Sequence, residues 1–509
     1  MVLDQVRVST RHTLNCANDA TVATLESPFS LGPMDHTVPP MLTIEAILVY
    51  RKPTILPDEC YFPIERLKAA VCHVLDYYPH LTGRLQQNPV SQAPEIGSLG
   101  TGAELWEAHC PRKLRNIALS ALSARILAIK LPDDGNALLP IFHATVGAMA
   151  YNPIFAIQHT RFGCGGVALG IRVHHLVCDA NGFMQLVRDL ADIYKQLRDF
   201  APPTLISPPE IISYFRGTSN PSSNQKQSAI AFNPPNFYLD TNTTDEPKFL
   251  APSTVGAGTL RFQGQDLILL RNAAWDPNAQ RQTSFTTFEV ISAFLYQRIY
   301  QARIKLLRDK GAAPDIDSLQ ALRHFWTTMD MRDSTRLKLP ARYFPNAVHC
   351  ISTSTSHDLL ENGALWQVAQ VIHDAIHSVD MDEVKQQFEW VAAQPNKSHV
   401  KSKNVVPSGS FIVTRWSRGK TYVGVDFEVA PNGRRIAPDL VSPALSESHR
   451  ADGYAVILST EEQLPRRHRI NGRLLAGPSL PCAVDVNLAL DAPVWDVLNN
   501  DPHFLALLP

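Results

Sequence analysis

His174, His175 and Asp179 stand within six residues of one another in the stretch "IRVHHLVCDANGF" (residues 171–183). Imidazole takes a proton near neutral pH, so a histidine held beside an acceptor group can act as a general base, worth roughly 10²- to 10⁴-fold in rate. Asp179 could orient such a ring, or pair with an arginine and hold the local turn in shape. Spacing alone leaves two readings open: a catalytic histidine, or a satisfied structural one. The apolar run Val167, Leu169, Ile171 and Val173 alternates as a strand does, so odd positions share one face. His175 continues that face and His174 points the other way. Asn181 and Gly182 favour a turn, after which "GFMQLVRDLADIYKQL" resumes with helical spacing.

The elements that must position these residues can be read more widely. "IERLKAAVCHVLDYYPHLTGRL" places Leu67, Ala70, Val71, Val74, Leu75 and Tyr78 on one helical face, and Pro79 ends it. "TSFTTFEVISAFLYQRIYQARIK" repeats the pattern with Phe288, Ile291, Ser292, Leu295 and Ile299, after a Thr/Ser-rich start suited to capping. A third amphipathic helix is expected from Leu365 to about Val379. Strands are expected over residues 42–50, 165–175, 411–416, 422–429, 454–459 and 483–490. Helices and strands interleave irregularly, which predicts a mixed α/β architecture with two sheet-containing domains. Residues 1–215 and 259–509 form the expected domains. A Ser-, Asn- and Pro-rich crossover linker, residues 216–258, joins them.

Composition narrows the function. At 509 residues the chain exceeds one ordinary core, and with 45% hydrophobic residues it can bury a large interior. A net charge of -1 provides no basic field for nucleic acid or anionic membrane. The eight cysteines are scattered without a CxxC pair, as expected of reduced thiols in a cytoplasmic protein. No segment reaches the roughly 18 apolar residues of a membrane span, and the N-terminal stretch lacks the apolar run of a signal peptide.

Competing motifs are weaker. His373 and His377 in "VIHDAIHSV" have the spacing of a helical zinc pair, but Asp374 stands where a HExxH protease has Glu and the sequence shows no third ligand. The pair reads as a solvated helix face, and no metal is expected. Arg466, Arg467 and Arg469 in "LPRRHRINGRLLAGPSLP" read as a solvated loop rather than a phosphate patch. Serine-hydrolase, Walker and dinucleotide signatures are missing.

"RFGCGGVALGIRVHHLVCDANG" resembles the HxxxD region of the BAHD acyltransferases, a CoA-dependent family related to the condensation domains of peptide synthetases. Cys164, Gly165 and Gly166 match its Cys-Gly-Gly, and His175 and Asp179 match HxxxD. Ala180 replaces the family's usual next glycine. "SLGPMDHTVP" is similar to the N-terminal Leu-Ser-x-x-Asp segment. The Pro-x-Leu-x-Gly-Arg-Leu helix end, "TSFTTFEVISAFLYQR", "TTMDMRDSTRLKLPARYFPNAV" and "VWDVLNNDPHFLALL" follow in family order over nearly the whole chain. The second signature, Asp-Phe-Gly-Trp-Gly, is half kept: Asp426 and Phe427 match, whereas Glu428 and Val429 replace Gly-Trp.

The resemblance implies two similarly folded mixed-sheet domains of the chloramphenicol acetyltransferase type, with a channel at their interface. It implies His175 as general base, deprotonating an alcohol or amine that attacks an acyl-CoA thioester, with no covalent acyl-enzyme and so no nucleophilic role for Cys178. Asp179 would support geometry by pairing with Arg332, and Asp426 would support the fold. Ser284, Thr286, Thr414 and Trp416 are the expected channel residues, helix caps and core packing being their alternative roles. Acetyl-CoA is the expected co-substrate, with no tightly bound cofactor. A small-molecule hydroxyl of a specialised metabolite is the expected acceptor, and a monomer the expected state. Two further classes stay open: a condensation-type enzyme drawing on a carrier-protein thioester, and a family-derived binding protein or rearrangement catalyst that no longer uses CoA.

Overall fold

A computed structural model describes residues 6–57, 60–118, 125–198, 202–215, 223–241, 255–279, 283–311, 319–403, 408–416, 420–446, 449–464 and 480–505. The arginine-rich segment around Arg466, Arg467 and Arg469 lies outside them, as does much of the expected linker. Two six-stranded mixed sheets organise the chain. The first runs, in order, Arg7–Leu14, Ala103–Cys110, Phe155–Phe162, Val167–His174, Thr43–Tyr50 and Leu440–Ser442. The second runs Val255–Phe262, Val484–Asp491, Tyr454–Ser459, Phe411–Arg415, His324–Asp330 and Val348–Ser354. Both combine antiparallel ladders with parallel pairs. No helix among the described residues is long and apolar enough to cross a membrane.

Each sheet carries its own helical layer. Helices Ile64–Leu75 and Ala180–Gln196 bury apolar faces on the first sheet, where Val71, Val74, Leu186 and Leu190 join Val167, Leu169, Ile171 and Val173. Helix Thr287–Asp309 does the same for the second, through Ile291, Leu295 and Ile299. Its start is a capping box. Thr286 accepts from the Glu289 N–H while the Glu289 carboxylate accepts from the Thr286 N–H.

Two strands of the sheets depart from the sequence reading. Of the strand expected over residues 422–429, only Glu428–Val429 is extended. Gly424 takes φ +79 and breaks the run. Phe427 then turns into the first core against Tyr50, Phe62 and Tyr194. Local β-propensity is thus overridden by a tertiary aromatic cluster. The other departure is Leu440–Ser442, a strand from the C-terminal half that pairs antiparallel with Ile47–Val49 and completes the N-terminal sheet. Within the expected linker, Phe237–Leu239 pairs with Val400–Ser402.

Candidate active site

Strand Val167–His174 ends just before the two histidines, and alternation separates them. His174 is buried with its ring edge-on to Phe142, 5.7 Å between centroids. Burial and the neighbouring His175 lower its pKa to about 3, so it stays uncharged. The His175 main-chain N–H donates to Leu42 O at 2.9 Å, and its side chain lines a cavity of about 240 Å³ between the sheets. Leu42, Thr43 and Ile44 contribute to the wall from the first sheet side, Trp326, Thr328, Thr414 and Tyr454 from the second. Burial lowers the His175 pKa below its ordinary value, partly offset by hydrogen bonding and by Asp179, and this favours the free-base imidazole.

Asp179 caps the helix that follows. Its Oδ1 accepts from the N–H groups of Asn181 and Gly182 at 3.0 and 3.1 Å. Its Oδ2 accepts from Arg332 Nη1 and from the Ala347 N–H, both at 2.8 Å. Arg332 also donates to Asp330 and to the carbonyls of Tyr343 and Pro345. All of the carboxylate's bonds thus go to a helix start and to a crossing segment of the other half. Gly182 is required here, because a Cβ would stand 2.2 Å from Phe344 O. Ala180 lines the cavity one residue into the helix. The close approach that demands a glycine therefore falls at 182 rather than 180.

Asn346 completes the frame. Its Nδ2 donates to the His175 carbonyl at 2.9 Å and to Asp35 Oδ1 at 2.8 Å, and its main-chain N–H adds a bond to the same Asp35 oxygen at 3.0 Å. Asp35 Oδ2 accepts from the Gly32 N–H at 2.8 Å. Burial raises the Asp35 pKa to about 7 despite these donors. Both residues lie in segments that resemble the family's, and no local pattern in the sequence links them. Cys178 is fully buried, and burial together with Asp179 raises its pKa, which suppresses the thiolate.

The other expected site residues divide. Thr414 and Trp416 line the cavity, Trp416 also packing on Phe183 at 6.0 Å. Ser284 and Thr286 are exposed at the start of helix Thr287–Asp309 and do not line it. Asp426 lies away from the cavity, 3.5 Å from Lys195 Nζ and 3.4 Å from Arg435 Nη1. Its neighbour Glu428 is more deeply engaged. That buried carboxylate accepts from Tyr194 Oη at 2.6 Å, the Phe62 N–H and Arg66 at 3.2 Å, and Arg198.

Among the lining residues not singled out from the sequence are Trp326, His449 and Tyr454. They come from separate strands and a loop, and no local pattern links them. Trp326 Nε1 is buried without a protein acceptor among the described residues, which leaves an N–H free for a carbonyl or developing oxyanion. His449 Nδ1 lies 2.8 Å from Ser446 Oγ, and its ring packs against Tyr454.

Comparison with known proteins agrees with this architecture. The model of the Transferase family matches residues 12–430. Spermidine hydroxycinnamoyltransferase 1 of Oryza sativa subsp. japonica is 25% identical over 324 residues, 63% of this chain and 66% of that enzyme. Vinorine synthase superposes with a TM-score of 0.67 at 14% identity, covering 99% of this chain and 98% of that one. TRI101 of F. sporotrichioides, solved with coenzyme A and T-2, superposes with a TM-score of 0.62 at 15% identity, covering 94% and 98%. With the family match spanning most of its length and the two-domain fold shared end to end, the chain belongs to the Transferase family of CoA-dependent BAHD acyltransferases.

Proposed function

We propose that the chain is an acyl-CoA-dependent O-acyltransferase, moving an acetyl group to a hydroxyl of an apolar specialised metabolite, with His175 as general base. The carrying observation is the placement of the His175 ring on the wall of the inter-sheet cavity, favoured as the free base by burial and held by its backbone at Asn346. The acceptor hydroxyl gives its proton to His175 as its oxygen bonds to the thioester carbonyl carbon. The tetrahedral intermediate then expels the CoA sulfur, which takes the proton back from His175. Trp326 Nε1 is the proposed donor to the oxyanion.

The lining supports an apolar alcohol over a cationic amine. Leu42, Ile44, Val348, Trp326 and Trp416 supply apolar surface, and the lining carboxylates Asp179 and Asp330 are both bound to Arg332. A polyammonium acceptor would find neither free. The limited volume supports a short acyl group, which leaves more room for the acceptor. A cytoplasmic monomer without a tightly bound cofactor completes the reading.

Purified protein incubated with acetyl-CoA and a panel of terpenoid, alkaloid and polyketide alcohols, with free thiol followed over time, tests this. Acceptor-dependent thiol release, reduced roughly 10²- to 10⁴-fold by His175→Ala, is expected. No turnover with any alcohol, or full activity in His175→Ala, overturns it.

A further inference from the structure

Helix Leu365–His377 packs on helix Thr287–Asp309, and the contact gathers three metal-ligating side chains at one point. His373 and His377 are one helical turn apart, their ring centroids 4.0 Å from each other. The third is Glu289, 84 residues upstream of His373 and out of reach of any local motif. Its buried Oε1 lies 3.1 Å from His373 Nδ1 and 3.5 Å from His377 Nε2, and the three donor atoms are all within 4.8 Å of one another. Tetrahedral zinc, with bonds near 2.0–2.1 Å, sets its ligand atoms roughly 3.3 Å apart. Both carboxylate–imidazole separations bracket that value.

The group is also pre-oriented. Glu289 Oε2 is held by the Thr286 N–H at 2.6 Å, which turns Oε1 toward the histidines. Phe285 packs edge-on against the His373 ring at 5.6 Å. His377 is exposed, giving an ion an entry path and leaving room for water as a fourth ligand. We propose that Glu289, His373 and His377 form a binding site for a divalent transition metal, zinc by ligand type, pinning the start of one helix to the end of the other. None of the three lines the inter-sheet cavity, so the site is separate from acyl transfer.

Full-length protein without a histidine tag, stripped with chelator and dialysed, is titrated with zinc chloride and separately with cobalt(II) chloride. His377→Ala, His373→Ala/His377→Ala and Glu289→Gln are titrated beside it. One zinc per chain is expected, bound at least tenfold more tightly than by the double variant. Cobalt should give the intense visible bands of tetrahedral coordination in the native protein only. Circular dichroism checks folding, and the exposed position of His377 lets its single variant carry the comparison should the double variant misfold. Equal zinc binding by native protein and folded variants, or a cobalt spectrum of purely octahedral type, overturns the site and leaves Glu289 as an ion-pair partner of the two histidines.

Discussion

Asn346 and His175 are joined through the backbone: the asparagine amide donates to the histidine carbonyl at 2.9 Å while also binding Asp35. The side chain proposed as base thus has its main chain fixed from the opposite half of the molecule. Replacing Asn346 with Ala removes that bond and leaves the buried Asp35 short of donors, a change that costs roughly 1–3 kcal/mol. A kcat reduced roughly tenfold or more, with KM for acetyl-CoA little changed, is expected from steady-state kinetics. An unchanged kcat in a folded variant would show that the bond does not position the base.

Arg332 and Asp179 form a buried pair with 2.8 Å between Nη1 and Oδ2. Arg332→Met leaves the carboxylate buried and unpaired, and urea denaturation should show a loss of roughly 3–5 kcal/mol. Adding Asp179→Asn removes the stranded charge, so the double variant should be more stable than Arg332→Met alone. Additive losses would contradict the coupling.

Glu428 stands where the family motif has glycine, yet its carboxylate is engaged by Arg66, Arg198 and Tyr194. Among the described residues 427–430 none has a positive φ, so nothing in the backbone calls for glycine here. Glu428→Gly should therefore destabilise the protein by roughly 3 kcal/mol, because two half-buried arginines lose their partner. A variant as stable as the parent, by thermal melt, would refute this.

Burial lowers the His175 pKa below 6.5, the ordinary imidazole value. The free base is the active form, so the acid limb of kcat/KM should be centred below pH 6.5. An acid limb centred above pH 7 would exclude His175 as the titrating base.

Stability should also fall with acid. Burial pulls His36, His80 and His174 to about 3, and His159 and His349 to about 4. Below pH 6.5 the unfolded chain takes up protons that these folded histidines refuse, and each costs about 1.4 kcal/mol per pH unit. Asp35, raised to about 7, acts in the opposite direction, since the folded form gains its proton first as pH drops, and burial also raises Asp134, Asp189, Asp439, Asp485 and Asp491. The five large histidine shifts outweigh that of Asp35 and the smaller ones of the other aspartates, so urea midpoints should decline between pH 6.5 and 5. A midpoint that rises over that range would contradict the balance.

Fold class and family are legible in the sequence because motif order extends along the chain and needs no tertiary knowledge. Strand alternation likewise separates His174 from His175, since a period of two is local. Trp326, His449 and Tyr454 meet only when strands far apart in sequence fold side by side. Glu289 illustrates the same limit: a capping-box residue by its local pattern, it reaches His373 only through helix packing. The lost strand at 422–427 shows the converse, an apolar run whose aromatic residue is claimed by another domain's core.

The strand Leu440–Ser442 closes the N-terminal sheet from the far half of the chain, and Tyr50 Oη reaches back to Val425 O at 2.7 Å. Chimeras between members of the family must therefore respect this exchange. A crossover placed in the central linker would hand each N-terminal sheet an edge strand from a stranger. Recombination sites that keep residues 422–442 with the parent of residues 43–50 should give soluble hybrids far more often than sites that divide them.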